Sequence, residues 1–370
     1  MVGDIVLPAV YGRNRKSGKM VMPLREMLGL HGNRPMSPVV EDRLCHLAVR
    51  SSSYACAAEV AGRFGISTDD SQIQRLVQCI GKRAEEQSLR RVSAAFDPSG
   101  REDMLREAQC ELKGERFSMA LMLDGLMLRS RGEAWGLKPA SCPGERAVWH
   151  ELKAGLVIRI PESQAGKGEL PKFYVASAGG PESIGRKLYA EALRRGLHKA
   201  KRVYVIADGA VWIWRVAEKY FPGSVEELDF YHASEHLWTL ARDIWGDEKA
   251  AREWVVPLLG NLKRRGGGEL LSILEELLEV AEAEWGVGEC QVLARETAYF
   301  QEHSSRLCYP KAKRNGFPLG SGAMESACSQ IQGRFKRPGQ FWSKTGERNL
   351  MALDLAWRNR DWNELWARGA

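Results

Sequence analysis

Two apolar runs in this chain end alike. Phe117-Ser118-Met119-Ala120-Leu121-Met122-Leu123 is closed by Asp124-Gly125, and Val203-Tyr204-Val205-Ile206-Ala207 by Asp208-Gly209. Runs so short and so apolar are expected as buried strands. A carboxylate at the C-terminal end of such a strand stands at the sheet edge, where α/β folds bind ligands. An Asp-Gly pair is also an ordinary turn. The two readings part over what the acids do together: carboxylates on neighbouring strands repel unless a cation sits between them. Mg²⁺ takes few protein carboxylates and keeps positions open for phosphate oxygens.

The flanking pattern is that of an α/β domain. Val148 to Ile160 alternates with period two, Lys172 to Ser177 reads as a third strand, and Pro181-Glu182-Ser183 opens a helix running to about Lys199. Val225 to Tyr231 is expected as a fifth strand. After His232 the pattern is helical to about residue 305 and reads as an insertion. Gly320-Ser321-Gly322 then opens a helix with Glu325 in its first turn, the best candidate for a third carboxylate; its bland alternative is a helix N-terminal acid.

Ahead of the strands, residues 1–35 show little periodicity, with a basic turn at Arg13 to Lys19. Ser37-Pro38 has the form of a helix cap and first residue. A short helix of small residues ends at Gly65, and a second begins near Asp70-Ser71. This is helix-turn-helix grammar, with Gln72, Gln74, Arg75, Gln78 and Lys82 expected outward and towards DNA; a plain helical bundle is the alternative. The segment Arg334 to Lys344 mixes charge with aromatics, and Arg334, Lys336, Arg337, Trp342 and Lys344 are candidate DNA contacts. Its alternative is a solvated basic loop with Trp342 in the core. Trp212 and Trp214, just after Asp208, read as core.

The formal net charge of +7 favours an anionic partner, nucleic acid first. The eight cysteines form no CxxC pair and read as reduced thiols. No stretch approaches the ~20 apolar residues of a membrane span, and Met1 to Lys19 lack a signal-peptide core. The expected location is the cytoplasm, on the nucleoid.

The blocks LDG (Leu123–Gly125), WHELKAG (Trp149–Gly155), ADGAVWIW (Ala207–Trp214), DFYHASEHL (Asp229–Leu237) and GSGAMESA (Gly320–Ala327) together resemble bacterial insertion-sequence DDE transposases of the ISKra type, which are similar to Mutator-like transposases. The resemblance runs from about Pro23 to the C-terminus. It implies a ribonuclease H-like catalytic core with a helical insertion and an N-terminal helix-turn-helix-like DNA-binding region. The expected divisions are an extension at 1–35, the helical DNA-binding region at 36–110, the core at 111–232, the insertion at 233–310 and the rest of the core at 311–370. It implies Asp124, Asp208 and Glu325 as the ligands of two Mg²⁺ or Mn²⁺ ions. Asp229 and His232 would form the D-x-x-H motif that follows the second acid, with Asp229 orienting a catalytic His232 ring. His232 and His236 also stand at i, i+4, a metal-binding spacing, but no further ligand accompanies them. The resemblance also leads one to expect a cysteine-rich zinc module before the helix-turn-helix. The residues here contain none, which bears on end recognition more than on catalysis.

The implied activity is metal-dependent cleavage at transposon ends followed by strand transfer into target DNA, by a homo-oligomer on DNA. A DNA-binding regulator without chemistry, and a ribonuclease H-like nuclease without joining activity, are the alternatives.

Overall fold

The computed structural model describes residues 10–27, 36–137, 145–162, 169–284 and 287–366. The chain divides into two compact units, one of residues 1–90, 128–150 and 330–370, the other of 91–127 and 151–329.

The N-terminal part of the first unit opens with a hairpin, β1 (Gly12–Arg13) against β2 (Met20–Val21), so the expected basic turn is the hairpin's loop. Helices α1 (Pro23–Met27), α2 (Pro38–Arg50) and α3 (Tyr54–Arg63) follow. Ser37 caps α2 by accepting from Val40 N at 3.4 Å, with Pro38 in the first turn, and Ser53 caps α3 by accepting from Cys56 N at 3.1 Å. Gly65 has φ +74°, a left-handed turn that favours glycine. The next helix, α4 (Asp70–Phe96), starts where expected and runs 27 residues. Nothing between Asp70 and Phe96 breaks it; Asp97-Pro98 does, and Asp97 caps α5 (Pro98–Leu112) by accepting from Gly100 N at 2.8 Å.

A five-stranded mixed sheet, most of it in the second unit, is formed by β3 (Phe117–Arg131), β4 (Ala147–Pro161), β5 (Lys172–Ser177), β6 (Val203–Ala207) and β7 (Val225–Leu228) in the order β5-β4-β3-β6-β7. β4 and β5 are antiparallel, while β6 is parallel to both β3 and β7. Between them lie α6 (Pro181–Arg194) and α7 (Val211–Tyr220). The helical block is α8 (Phe230–Trp245), α9 (Glu248–Arg265), α10 (Gly267–Glu284) and α11 (Val287–Glu302), followed by α12 (Tyr309–Arg314) and α13 (Gly322–Phe335). The chain continues through α14 (Lys344–Arg358). The expected fifth strand is thus shorter than read: Asp229 caps α8, and Phe230 and Tyr231 are already helical.

Register sets the site. The pairs Met119↔Val203 through Met122↔Ile206 share one offset, 84 residues. Carried two residues further, that offset sets Asp124 beside Asp208. The pair Ala207↔Leu228, carried one further, sets Asp208 beside Asp229. Side chains alternate across a strand, so Met122, Asp124, Tyr204, Ile206 and Asp208 belong to one face. Tyr204 is fully buried there, stacked on Phe317 at 3.8 Å, and its hydroxyl accepts from Asn315 Nδ2 at 3.0 Å. Leu121, Leu123, Val205 and Ala207 pack on the other face. Gly155 of β4 is confined between Leu123 and Leu188 of α6, with no room for a Cβ.

Candidate active site

Asp124 does not end its strand. β3 continues to Arg131 because Leu126, Leu128 and Ser130 keep the buried alternation going beyond the Asp-Gly pair. Asp124 Oδ1 accepts from Gly125 N at 2.6 Å and Oδ2 from the Cys328 thiol of α13 at 3.4 Å. Burial pushes the Asp124 carboxyl above its ordinary value, and the charges of Asp208 and Glu151 push the same way; the two hydrogen bonds oppose them. Asp208, just past β6, accepts from Ala210 N at 3.1 Å.

Glu325 lies in the first turn of α13, one turn before Cys328, with its carboxylate exposed. The Cys328 thiol is pushed strongly upward by burial, by the Asp124 charge and by that of Glu325, and so stays protonated between the two acids. The structure therefore brings Asp124 and Asp208 to one face of the sheet and turns the helix carrying Glu325 onto that face. Among the described residues, no three His, Cys, Asp or Glu side chains stand close enough to hold an ion as they are. The donor chemistry suits a hard divalent cation: carboxylate oxygens as candidate ligands, and an acid whose ionisation is opposed by burial first and by its neighbours' charge second.

Asp229 does something other than orient His232. It is 2% exposed. Oδ1 accepts from the backbone N–H of Tyr231 at 2.6 Å and of His232 at 3.2 Å, and Oδ2 from Ser321 N at 2.6 Å and the Ser321 hydroxyl. Among the described residues no bond runs from Asp229 to the His232 ring, whose Nδ1 instead faces Glu235 at 3.7 Å. Asp229 thus caps α8 and latches the residue that starts α13, since Ser321 O accepts from Met324 N and Glu325 N. Phe230 N donates to Leu319 O at 2.9 Å, and a Cβ on Gly320 would collide with the Tyr231 ring.

The insertion contributes residues that sequence reasoning missed. Tyr299 Oη donates to the Asp208 carbonyl at 3.3 Å, and its ring stacks on His236 at 3.9 Å. His236 Nδ1 donates to Glu296 at 2.6 Å. Burial alone would raise the Glu296 carboxyl, but hydrogen bonds from His236 and Arg295 outweigh it and hold the group below its ordinary value. Arg306 Nη1 donates to His303 Nδ1 at 3.1 Å, which leaves the neutral ring's proton on Nε2, beside Gly209. Burial and Arg306 hold His303 neutral by lowering its pKa. His232 meets the His236 ring edge-on at 4.9 Å. With His236 already bonded to Glu296, the pair is packed and hydrogen-bonded. Tyr299 is 91 residues from Asp208, so no local pattern could have named it.

Glu151 and Lys153 had a signal, the WHELKAG block, but no assigned role. Lys153 is 6% exposed; its Nζ lies 2.5 Å from Glu151 Oε2 and 4.3 Å from the Trp212 ring centroid. The Glu151 carboxylate fills the space where a Cβ on residue 125 would sit, which explains Gly125. Trp214 is core as expected, 6% exposed, while Trp212 is half-buried at the margin of the core cluster.

Of the candidate DNA contacts, Gln72, Gln74, Arg75, Lys82, Arg337 and Lys344 are exposed and Lys336 is half-buried. Three turn inward. Arg334 is 7% exposed and donates to the carbonyls of Ala48 and Ser52, leaving its guanidinium no face for phosphate. Gln78 accepts from Asn349 Nδ2 at 2.7 Å, so it packs α4 to α14. Trp342 donates through Nε1 to Phe335 O at 2.8 Å and meets Tyr54 edge-on at 6.4 Å.

The seven described cysteines are free, and Cys142 lies outside the described residues. Among the described residues no helix is long and apolar enough to cross a membrane. Compared with known proteins, the chain matches no family model and no curated sequence.

Proposed function

We propose that the chain is a DDE transposase: a ribonuclease H-like nuclease and strand transferase that cuts transposon ends and joins them to target DNA. The observation that carries the reading is the β3–β6 register, which carried two residues on sets Asp124 beside Asp208, with Cys328 of the Glu325-bearing helix against Asp124. The strand order and the helical block between the second and third acids support it as well. DNA is the proposed partner, bound by a homo-oligomer, and the cytoplasmic nucleoid the proposed location.

Asp124, Asp208 and Glu325 would hold Mg²⁺ or Mn²⁺, which when bound supplies Lewis-acid activation of water and neutralises charge on the leaving 3′ oxygen. The chain's own residues do the rest. Asp229 fixes the start of α13 and with it the place of Glu325. Tyr299 holds the Asp208 carbonyl, and the Cys328 thiol donates to Asp124 without competing as an anion. His232, half-exposed at the start of α8, is available to donate to a phosphate oxygen. No covalent protein intermediate is required, because the freed 3′-hydroxyl attacks the target phosphate directly.

The test is incubation of the protein with DNA flanking its own coding region and Mg²⁺ or Mn²⁺. Nicks at discrete ends and joined products from a pre-cut end are expected. Nicks without joining would mark a nuclease only, and binding without nicks a DNA-binding regulator.

A further inference from the structure

In the unit of residues 1–90, 128–150 and 330–370, six side chains from three stretches of sequence form an unbroken row. Lys336 Nζ lies 5.3 Å from the Trp149 ring centroid, and the Arg129 guanidinium lies 5.5 Å from the same ring. Arg129 also stands 5.0 Å from Phe341, whose ring is 4.8 Å from that of Trp135. Arg131 closes the row 5.3 Å from Trp135. Cation, ring, cation, two rings, cation is the order along it.

The rings are open to solvent: Trp149 is 54% exposed and Trp135 38%. Large aromatic side chains left out of a core mark a surface that something covers. The row is also rigid. Arg131 N donates to Trp342 O at 2.8 Å and Trp342 N to Arg129 O at 3.2 Å, which bridges the tail segment to the end of β3. Arg129 Nη2 donates to Arg337 O at 2.7 Å and Arg131 Nε to Phe341 O at 3.2 Å. Side chains already held in place lose little freedom on binding.

We infer that this row binds an unpaired polynucleotide strand, bases on the rings and phosphates on Arg129, Arg131 and Lys336. A duplex keeps its base faces stacked and has no use for the rings, and an acidic peptide would engage the cations alone. A single strand alternates flat apolar faces with negative charge, as the row alternates rings with positive charge. The net charge of +7 points the same way. The aromatic contact moves from Trp342, which is half-buried with its Nε1 bonded to Phe335 O, to Trp149 and Trp135.

The experiment uses the full chain in EDTA, so that its outcome is independent of the carboxylate site and of cleavage. Fluorescence anisotropy follows a labelled oligothymidylate, a closed hairpin duplex of equal phosphate number, and displacement by polyglutamate. Trp149→Ala is expected to weaken oligothymidylate binding about 10-fold, with duplex binding changed less than about twofold, and Trp149→Phe to restore most of the loss. Trp135→Ala repeats the test should Trp149→Ala melt early. Lys336→Ala is expected to lower the slope of log affinity against log salt by about 0.7. Unchanged oligothymidylate binding in both tryptophan variants would overturn the inference. So would equal losses for strand and duplex, or polyglutamate binding as sensitive to Trp149→Ala as the oligonucleotide is.

Discussion

Asp208 and Asp229 sit side by side at the ends of β6 and β7, yet their carboxylates live differently. Asp229 is buried and accepts from three backbone N–H groups and a hydroxyl. Asp208 is half-buried, accepts from one backbone N–H, and adds its charge to an Asp124 already raised by burial. The first acid is completed by the chain itself. The second accepts from a single backbone N–H among the described residues, and the cation proposed above would complete its partners. A strand-end aspartate is thus not one kind of residue; the donors around it decide how firmly it is tied into the fold.

Four experiments would break or sharpen that contrast. The largest effect is expected from Asp208→Asn, which should lower metal-dependent cleavage more than about 100-fold while DNA binding persists. Its unfolding midpoint without metal should be no lower than wild type, because one of two repelling charges has gone. Substantial cleavage by the well-folded variant would remove Asp208 from the site. Asp229→Ala should act the other way. Stranding several buried donors should cost about 3 kcal/mol of stability in urea titrations, and a wild-type midpoint would show the latch to be dispensable.

A third experiment concerns Glu227, two residues before Asp229 on β7. It is fully buried, neither oxygen has a hydrogen-bond partner among the described residues, and burial pushes its carboxyl up to about 8, with Lys311 opposing. Its folded value lies above the unfolded one, so the folded state keeps a proton that the unfolded state releases. Stability from this group is full below pH of about 4.5 and declines until pH passes about 8. Glu227→Gln should flatten that decline in melts across this range; an unchanged slope would show Glu227 to be neutralised some other way. The smallest effect belongs to Cys328→Ala, which removes a weak thiol donor from Asp124 and should cost about 1 kcal/mol or less. A loss as large as that of Asp229→Ala would make Cys328 a structural keystone of α13.

Much of the sheet was legible because its strands are apolar runs bounded by turn residues, and β5 has the bounds its sequence suggests. The end of β3 was not: Asp124-Gly125 looks like a stop, and only the partner strand and the Glu151 carboxylate show why glycine sits inside a strand. The face shared by Asp124 and Asp208 depends on register, which no single strand contains. The role of Asp229 was misread for the same reason, since its second partner, Ser321, lies 92 residues away. In the first unit the cap at Ser37 was readable from local chemistry, whereas the cap at Ser53 was not singled out and the inward turn of Gln78 and Arg334 was set by distant partners.

The latch between Asp229 and Ser321 has a consequence for how such a chain could vary. The chain leaves the sheet at Asp229 and rejoins it at Ser321 through one clasp, with Phe230 N on Leu319 O beside the carboxylate, while Tyr299, Arg306 and Phe317 hold the intervening segment to β6 and β7. The clasp, rather than the number of residues between Asp229 and Ser321, fixes where α13 starts. A helical block of another length, provided its ends meet at the same clasp, would leave Glu325 where it is. Closing a loop twice as long costs only about 0.6 kcal/mol more. Distance along the chain is a poor guide to this segment; the clasp works as a fixed port into which helical cargo of many sizes could be grafted.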